Sequence, residues 1–169
     1  MAGRIAVATV PLALRQFEPR DDRELISWFA DAAELRRFAG SSLRWPLDEH
    51  QLQAVRDGPN LSPFSAFLLP TPYPPCGHIE IVRLAEPGVM RLARVGLAPQ
   101  VRGQGLGREL VSLALAQARD WGARHVDLFV FEDNEPARRL YASFGFRQIG
   151  VDPTDATSLR MNLTLKRRR

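Results

Sequence analysis

The spacing of apolar residues in the first third of the chain predicts one strand followed by short helices. Leu12–Phe17 alternates apolar and polar positions, which predicts a strand. A helix is then expected, with Asp21 or Asp22 as its N-cap, and residues 32–39 continue or restart it. A further short helix is expected to start at Asp48, a suitable N-cap.

The middle of the chain predicts three strands joined by turns. The three β-prone runs are Phe64–Leu69, His78–Leu84 and Val89–Leu97. The first two are separated by Pro70–Pro75, which holds four prolines in six residues, and the last two by the turn at 86–88. Because consecutive strands joined by short turns usually pair antiparallel, we expect a three-stranded meander here.

The second half of the chain alternates helical and strand-like patterns. The longest helical pattern starts at Leu106 and runs to Gly122, a suitable residue to end a helix. The remaining predicted elements are a buried strand over Val126–Phe131, a helix over Asn134–Phe144 closed by Gly145, and strands over Phe146–Val151 and Leu159–Leu165. The sequence thus predicts an α/β fold of the mixed α+β kind, with a sheet whose N-terminal half is antiparallel.

Composition narrows the class of protein. The 169 residues are 45% hydrophobic and 25% charged, which suits one soluble domain over residues 1–169. No apolar run approaches the roughly 18–20 residues of a membrane helix, and Met1–Pro11 lacks the pattern of a secretory signal. The single cysteine, Cys76, excludes an internal disulfide and a multi-cysteine zinc site. We therefore expect a cytoplasmic protein without a membrane or metal partner.

The charge of the chain gives little reason to expect nucleic-acid binding. The net charge of +4 comes from 23 basic and 19 acidic residues spread along the sequence. The one basic run is the C-terminal stretch 166–169, which we interpret as a solvated tail. Contact with an acidic partner is the alternative for this tail.

A glycine-rich segment joins the third strand of the meander to the long helix. We call residues 102–108 the glycine loop; it carries Gly103, Gly105 and Gly107 at alternate positions. Glycine lets the backbone turn tightly and approach a ligand closely. The first N–H groups of a helix have no internal partner and carry partial positive charge, which suits a pyrophosphate. The loop departs from the dinucleotide and P-loop patterns, because it has Arg108 in place of the third glycine and no Gly-Lys pair.

Two motifs carry a resemblance to a known family. The loop reads Arg-Gly-Gln-Gly-Leu-Gly over 102–107, and residues 134–146 read Asn-Glu-Pro-Ala-Arg-Arg-Leu-Tyr-Ala-Ser-Phe-Gly-Phe. These resemble the two signatures of the GNAT superfamily of acetyl-CoA-dependent N-acetyltransferases, and the specific resemblance covers residues 89–150. It implies the GNAT fold, in which a mostly antiparallel central sheet with splayed fourth and fifth strands is flanked by about four helices.

The resemblance also implies how acetyl-CoA is held as a cosubstrate. The loop amides would bind the pyrophosphate, the edge of the fourth strand would pair with the pantetheine arm, and Asn134 would hold that arm. An unpaired strand edge suits the two amides of pantetheine. The implied acetyl-CoA-binding residues are Val95, Leu97, Arg102, Gly103, Gln104, Gly105, Leu106, Gly107, Arg108, Asn134 and Tyr141.

The reaction implied is direct attack of a primary amine on the thioester in a ternary complex. Asn134 and Tyr141 are two helical turns apart and so share a helix face. Tyr141 would lie near the sulfur, and a tyrosine, which is protonated at neutral pH, could act as the general acid. Backbone N–H groups of the fourth strand would stabilise the oxyanion.

The amine also needs a base, and the sequence offers several candidates. Phe129 stands at a position of the fifth strand where some family members carry Glu. Glu80 is the first candidate and Asp127 the second, with His78 as a further one; any of them could act through water. The alternative for Glu80 is a surface carboxylate paired with an arginine.

The acceptor is less well defined by the sequence. The aromatic residues of the first helices could wall an acceptor pocket or simply pack on the sheet; they are Trp28, Phe29, Phe38 and Trp45, followed by Pro46. A small-molecule amine and a protein or peptide amine are both open, as are a monomer and a homodimer. The motif spacing is similar to that of ribosomal-protein N-terminal acetyltransferases, from which Phe129 departs. The alternative to an enzyme is a non-catalytic acyl-CoA-binding regulatory module.

Overall fold

The protein is described here from a computed structural model that covers residues 11–71 and 73–166. The strands are β1 (Leu12–Gln16), β2 (Leu61–Leu68), β3 (Gly77–Arg83), β4 (Val89–Leu97), β5 (His125–Phe131), β6 (Arg147–Asp152) and β7 (Asp155–Thr164). The α-helices are α1 (Asp22–Ser27), α2 (Ala32–Ala39), α3 (Glu49–Asp57), α4 (Leu106–Asp120) and α5 (Glu135–Phe144). Short 3-10 turns at Pro19–Asp21 and Pro99–Val101 precede α1 and the glycine loop.

The seven strands form one mixed sheet in the order β1-β2-β3-β4-β5-β7-β6. The predicted meander is confirmed, since β2, β3 and β4 pair antiparallel in sequence. Only β4 and β5 are parallel among the neighbouring strands of the described chain. Their pairing runs from Val89 opposite His125 to Arg91 opposite Asp127. Beyond Arg91 the two strands diverge, so the splay that the family resemblance implies is present.

A bulge interrupts β4 where it has left β5. Between the pairs made by His78 and Glu80 the register advances by one extra residue on β4, so one β3 residue faces both Arg94 and Val95. Arg94 has a φ of 44°, in the left-handed region that most side chains avoid. A bulge bends its strand and re-aims the residues beside it. The β4 bulge therefore redirects backbone and side-chain groups at the start of the cleft.

Two apolar clusters cover opposite faces of the sheet. The larger one includes Leu110 and Val111 of α4 together with Ile79 and Leu92 of the sheet. The second forms around α1, α2 and α3, and the aromatic rings of this region contact His78, which points to the other face from Ile79. Alternation along β4 then places Arg91 on the opposite face from the α4 cluster.

Most predicted elements are confirmed, with changes in number and at the ends. In the part of the chain that the structure describes, five α-helices flank the sheet where about four were expected, because residues 22–27 and 32–39 form separate helices. The side chains of Asp48 and Asn134 cap α3 and α5, each accepting a hydrogen bond from the N–H three residues on. β7 starts at Asp155, four residues before the predicted start, because it forms a hairpin with β6.

The predicted capping role of Asp21 is wrong. Asp21 stands at the N-cap position of α1 but its side chain makes no capping bond. Its buried carboxylate instead accepts hydrogen bonds from the Glu18 N–H at 3.0 Å and the Ser65 hydroxyl at 2.8 Å, and pairs with Arg15 at 3.0 Å. Asp22 is the first residue of α1 and pairs with Arg56 of α3. Both carboxylates thus connect the first helices to their neighbours.

Two predictions on the chain termini fall on residues outside the described ranges. Residues 1–10, which hold most of the segment tested for a secretory signal, are not described, and neither are the last three residues of the basic tail. Within residues 11–71 and 73–166, no helix has the length and apolar character needed to cross a membrane.

Candidate active site

The divergence of β4 and β5 opens a cleft with a volume of about 380 Å³. We call it the β4–β5 cleft. Its walls come from the C-terminal end of α2, the second half of β4, the end of β5, α5 and the β6–β7 hairpin. The lining residues that enter the argument are Phe38, Ser42, Arg91, Arg94, Val95, Phe129, Asn134 and Tyr141. A second cavity of about 600 Å³ lies between α2 and the ends of β5 and β7.

The glycine loop leads from the end of β4 into α4 and offers unpaired backbone donors. Gly103 and Gly105 have φ values of 75° and 79°, and no atom lies within 4 Å of where a Cβ would stand on either residue. Gly105 is the N-cap of α4 and provides no side-chain cap. Within the described chain, none of the N–H groups of residues 103–107 donates to a backbone carbonyl. An open backbone with free donors at a helix N-terminus fits the pyrophosphate of coenzyme A.

The arginines of the loop contact the protein itself. Arg102 donates from Nε to the Leu97 carbonyl at 3.0 Å, which ties the loop to the end of β4. Arg108 donates to the Ser143 hydroxyl at 2.7 Å and lies over the Phe144 ring at 4.8 Å, so it joins α4 to α5. The loop's geometry is thus held by these side chains, and its backbone remains available to a ligand.

The strand and helix residues of the predicted acetyl-CoA site meet beside this loop. Val95 lines the cleft, and Leu97 approaches Gly107. Asn134 and Tyr141 both line the cleft from α5, as their spacing predicts. The Asn134 side chain also caps α5, accepting from the N–H of Ala137 at 3.4 Å. The residues predicted for the arm and the sulfur thus line the cleft, and the loop predicted for the phosphate contacts two elements that form it, β4 and α5.

Tyr141 is buried, with 6% of its surface exposed, and packs edge-on against Phe146 at 5.8 Å between ring centres. Burial raises the pKa of Tyr141 to about 12. No described residue makes a hydrogen bond with its hydroxyl. The group is therefore a protonated donor that faces the cleft and has no partner within the described protein.

The predicted base Glu80 is buried on β3 within a charged cluster. Only 1% of Glu80 is exposed, so its interpretation as a surface carboxylate is wrong, whereas its expected pairing with an arginine is present. One carboxylate oxygen lies 3.0 Å from Nε2 of His78, and the other accepts from Arg94. Arg94 in turn donates to the Ser42 hydroxyl at 3.0 Å. Glu80 and His78 do not line the cleft; Arg94, which sequence reasoning missed, does.

Asp127, the second candidate base, is also buried and fully engaged. Its Oδ2 accepts from Nε of Arg160 at 3.1 Å, and its Oδ1 accepts from the Asn162 side chain at 2.6 Å. Asp127 lies on the same face of β5 as Phe129, as predicted, but only Phe129 lines the cleft.

Removing the Glu80 carboxylate is expected to destabilise the protein strongly. Glu80→Ala leaves Arg94 and His78 without their counter-group in a buried place, which should lower the free energy of unfolding by about 3 kcal/mol. The matched control is Glu135→Ala, which breaks the exposed Glu135–Arg139 pair at 2.8 Å and should change it by less than about 0.5 kcal/mol. Urea denaturation measures both. Equal losses in the two variants would contradict a structural role for the Glu80 cluster.

Of the aromatic residues proposed to form the wall of an acceptor pocket, some pack in the core and one lines the cleft. Trp28 and Phe29 are buried in the second apolar cluster, and Trp45 is exposed and does not line the cleft. Phe38 lines the cleft and lies 4.9 Å from the Phe29 ring. Packing is therefore the role of most of these residues, and Phe38 is the one that reaches the site.

Other lining residues were not predicted from the sequence. The β6–β7 hairpin contributes Asp152, Thr154 and Asp155 to the cleft, and β4 contributes Arg91. The alternation of Arg91 with buried Met90 and Leu92 could have placed it on the acceptor face. The hairpin residues carry no motif that could have been recognised.

The structure also bears on whether Cys76 is a reactive thiol and whether the described residues form a metal site. Burial is the main cause that raises the pKa of the Cys76 thiol, which keeps it in the unreactive protonated form. Within the described residues, no group of three or more His, Cys, Asp or Glu side chains is arranged to hold a metal ion.

Comparison with known proteins identifies the family. The model of the acetyltransferase (GNAT) family matches residues 17–146 of this chain. The chain therefore belongs to the GNAT family of acetyltransferases, whose cosubstrate is acetyl-CoA.

Individual relatives are also acetyltransferases, and they are longer than this chain. The mycothiol acetyltransferase of Thermobispora bispora is 36% identical over 146 residues, which cover 82% of this chain and 48% of the relative. The chain thus accounts for about half the length of that relative. Some other mycothiol acetyltransferases match over shorter stretches, such as that of Thermomonospora curvata, 48% identical over 58 residues that cover 34% of this chain and 20% of the relative.

Solved structures share the fold. The PaiA N-acetyltransferase from Thermoplasma acidophilum in complex with coenzyme A superposes with a TM-score of 0.70 at 19% identity, covering 91% of this chain and 99% of that one. The structure of AAC(6')-Ib in complex with ribostamycin and coenzyme A gives a TM-score of 0.74 at 20% identity, with 91% and 93% coverage. At these identities the likeness establishes the GNAT fold.

Proposed function

We propose that this chain, acting as one domain over residues 1–169, transfers the acetyl group of acetyl-CoA to a primary amine by direct attack in a ternary complex. The observation that carries the proposal is that the glycine loop contacts β4 and α5, two elements that also form the cleft. The glycine loop offers unpaired N–H groups at residues 103–107, and the adjoining cleft is lined by Val95, Asn134 and Tyr141. Family membership supports the same reaction class.

In this proposal the chain holds acetyl-CoA mainly through its backbone. The free N–H groups of the glycine loop bind the pyrophosphate, and the exposed edge of β4 near Val95 and Leu97 pairs with the pantetheine amides. Asn134 orients the arm. The full set comprises Val95, Leu97, Arg102, Gly103, Gln104, Gly105, Leu106, Gly107, Arg108, Asn134 and Tyr141.

The chemical step uses the β4 bulge and Tyr141. The amine nitrogen forms a bond to the thioester carbonyl carbon, and β4 N–H groups beside the bulge at Arg94 and Val95 stabilise the oxyanion. The carbon–sulfur bond then breaks. The Tyr141 hydroxyl donates a hydrogen bond to the departing thiolate, and the proton lost by the attacking amine balances its charge.

The proton lost by the attacking amine leaves the cleft through water in this proposal. Glu80, Asp127 and His78 are buried behind the cleft lining, so each would act as a base only through intervening water. Glu80 remains our first choice, because its partner Arg94 lines the cleft and connects the buried cluster to it. We also propose that Glu80 positions Arg94 at the bulge.

The acceptor is proposed to be a small-molecule amine. The support is that the relatives include mycothiol acetyltransferases and that one structural neighbour was solved with ribostamycin. The volume of the cleft suits a small ligand or a flexible chain end. A cytoplasmic location and a monomer or homodimer complete the proposal.

Isothermal titration with acetyl-CoA and free coenzyme A, followed by an amine panel on the same sample, tests the function. Micromolar binding of both and acetylation of at least one amine is the expected result. Failure to bind either one would overturn the acetyl-CoA site. Tight binding without turnover of any amine would favour the alternative function, an acyl-CoA-binding regulatory module. The observation that favours this alternative is the burial of the two candidate bases, Glu80 and Asp127.

A further inference from the structure

Arg91 presents a guanidinium on the wall of the β4–β5 cleft and forms no ion pair with any described residue. Its Nε is excluded from solvent and has no hydrogen-bond partner among the described residues. No ion pair involves Arg91 within that part of the chain, although its side chain lies over the Phe129 ring at 4.5 Å. Stacking on an aromatic face is attractive, but it satisfies none of the N–H donors of the guanidinium.

The other arginines around the two cavities are all paired with carboxylates. The pairs are Arg36 with Asp155 at 2.8 Å, Arg37 with Asp133 at 3.4 Å, and Arg94 with Glu80. Asp127, which faces Arg91 across the β4–β5 pairing, is held by Arg160 and Asn162 instead. Asp152, which also lines the cleft, accepts from the Thr154 N–H at 2.8 Å and from the Thr154 hydroxyl at 2.7 Å. Asp127 and Asp152 raise the pKa of Arg91 through space, but neither carboxylate forms an ion pair with its guanidinium.

The position of Arg91 relates it to the reacting atoms. Arg91 is the last residue of β4 that pairs with β5. Ala93, two positions later, lies on the same face of the strand and also lines the cleft. The proposed attack takes place beside the bulge that follows. In the proposed reaction the guanidinium therefore lies within a few strand positions of the N–H groups that stabilise the oxyanion.

In the absence of a ligand, a half-buried Arg91 guanidinium without an ion-pair partner destabilises the folded protein. Burial is the main influence that lowers the pKa of Arg91, so the site disfavours its charged form. A desolvated charge is retained more readily when a ligand compensates it. The geometry, a half-buried fork of donors in a cleft with no protein acceptor, is suited to an oxyanion.

We propose that Arg91 binds an oxyanion of the acceptor, so that the substrate is a primary amine that also carries a carboxylate or a phosphate group. This inference rests on the proposed function and deepens it. Arg91 is then a specificity-determining residue, and Phe129 orients its guanidinium by stacking.

Matched pairs of amines test the proposal and distinguish the two anions. An amino acid is compared with its carboxamide, and phosphoethanolamine with ethanolamine, at equal concentrations of acetyl-CoA. In the pair that carries the right anion we expect a preference in kcat/KM of about 10- to 100-fold for the anionic member, the range of a hydrogen bond to a charged group. A preference of less than about threefold in both pairs would overturn the proposal.

Variants of Arg91 connect the preference to this side chain. Arg91→Gln should abolish the preference for the anionic amine, because the kcat/KM of the anionic member falls by more than that of the neutral member, and Arg91→Lys should retain part of the preference. The matched control is Arg83→Gln. Arg83 lies over the Trp121 ring at 4.5 Å, the same stacking distance, but is not among the residues that line the cleft. A full preference in Arg91→Gln would exclude Arg91 as the anion site.

Binding measurements separate failure of this inference from failure of the proposed function. Calorimetry measures the affinity for coenzyme A and, in the coenzyme A complex, the affinity for each member of a pair. Unchanged coenzyme A binding in Arg91→Gln with weaker binding of the anionic amine alone supports the inference. Loss of coenzyme A binding by the wild-type protein would overturn the proposed function, whereas normal coenzyme A binding without anion preference would overturn this inference only.

Discussion

Gly105→Glu is expected to reduce the affinity for acetyl-CoA by about a thousandfold. Two charges about 4 Å apart near a protein surface interact by about 4 kcal/mol, and each 1.4 kcal/mol is a factor of ten in affinity. No atom lies within 4 Å of where the new Cβ would stand, so the carboxylate would enter the space left for the pyrophosphate. Calorimetric titration with acetyl-CoA measures the loss.

Two controls separate this charge effect from backbone strain, since Gly105 has a φ of 79°. Gly122→Glu places the same side chain at a glycine with φ of 91° at the other end of α4, again without an atom within 4 Å of the new Cβ. It should lose a similar amount of stability and keep its affinity for acetyl-CoA. Gly105→Ala introduces the strain without the charge. If folded Gly105→Glu binds acetyl-CoA as wild type does, the pyrophosphate site is assigned to the wrong loop.

The parts of this site that the sequence predicts are those made within a short segment. The glycine loop and its helix depend on backbone conformation and helix ends, which a few neighbouring residues determine. Asn134 and Tyr141 share a face because helical periodicity places them there. These features were predicted with the correct elements, and their roles toward acetyl-CoA stay predictions.

The parts that the sequence did not predict depend on partners far along the chain. Glu80 was placed on a strand correctly, but its burial depends on Arg94 and on the helices that cover His78. Asp127 is likewise engaged by Arg160, which is 33 residues later. The role of Arg91 depends on the absence of an ion pair with Asp127, which is engaged by Arg160 and Asn162 of β7, and this pairing between distant strands cannot be read from the sequence around Arg91.

Replacing Tyr141 by Phe is expected to lower kcat by about 10- to 100-fold, the range of one hydrogen bond to a developing charge. The ring should keep its contact with Phe146, because only the hydroxyl is removed. The affinity for acetyl-CoA should change by less than about threefold, since binding alone needs no donor at the sulfur. Single-turnover kinetics with calorimetry separate the two quantities.

The raised pKa of Tyr141 determines what kind of donor it is. With a pKa of about 12 against about 8.5 for a thiol, complete transfer of its proton to the thiolate is unfavourable. We therefore expect the hydroxyl to stabilise the leaving thiolate by a hydrogen bond while it stays protonated. The proton that finally neutralises the products comes from the attacking amine.

This assignment also fixes the sign of the pH dependence. The rate should rise with pH as the amine loses its proton, and no alkaline decline should follow below about pH 11, because Tyr141 stays protonated there. Tyr141→Phe should show the same profile at a lower level, and Tyr73→Phe, at the exposed second tyrosine, should match wild type. An unaltered kcat in Tyr141→Phe would remove Tyr141 as the donor. A decline near pH 10 confined to the wild type would instead show that its hydroxyl ionises as an exposed tyrosine does, against the burial that raises its pKa.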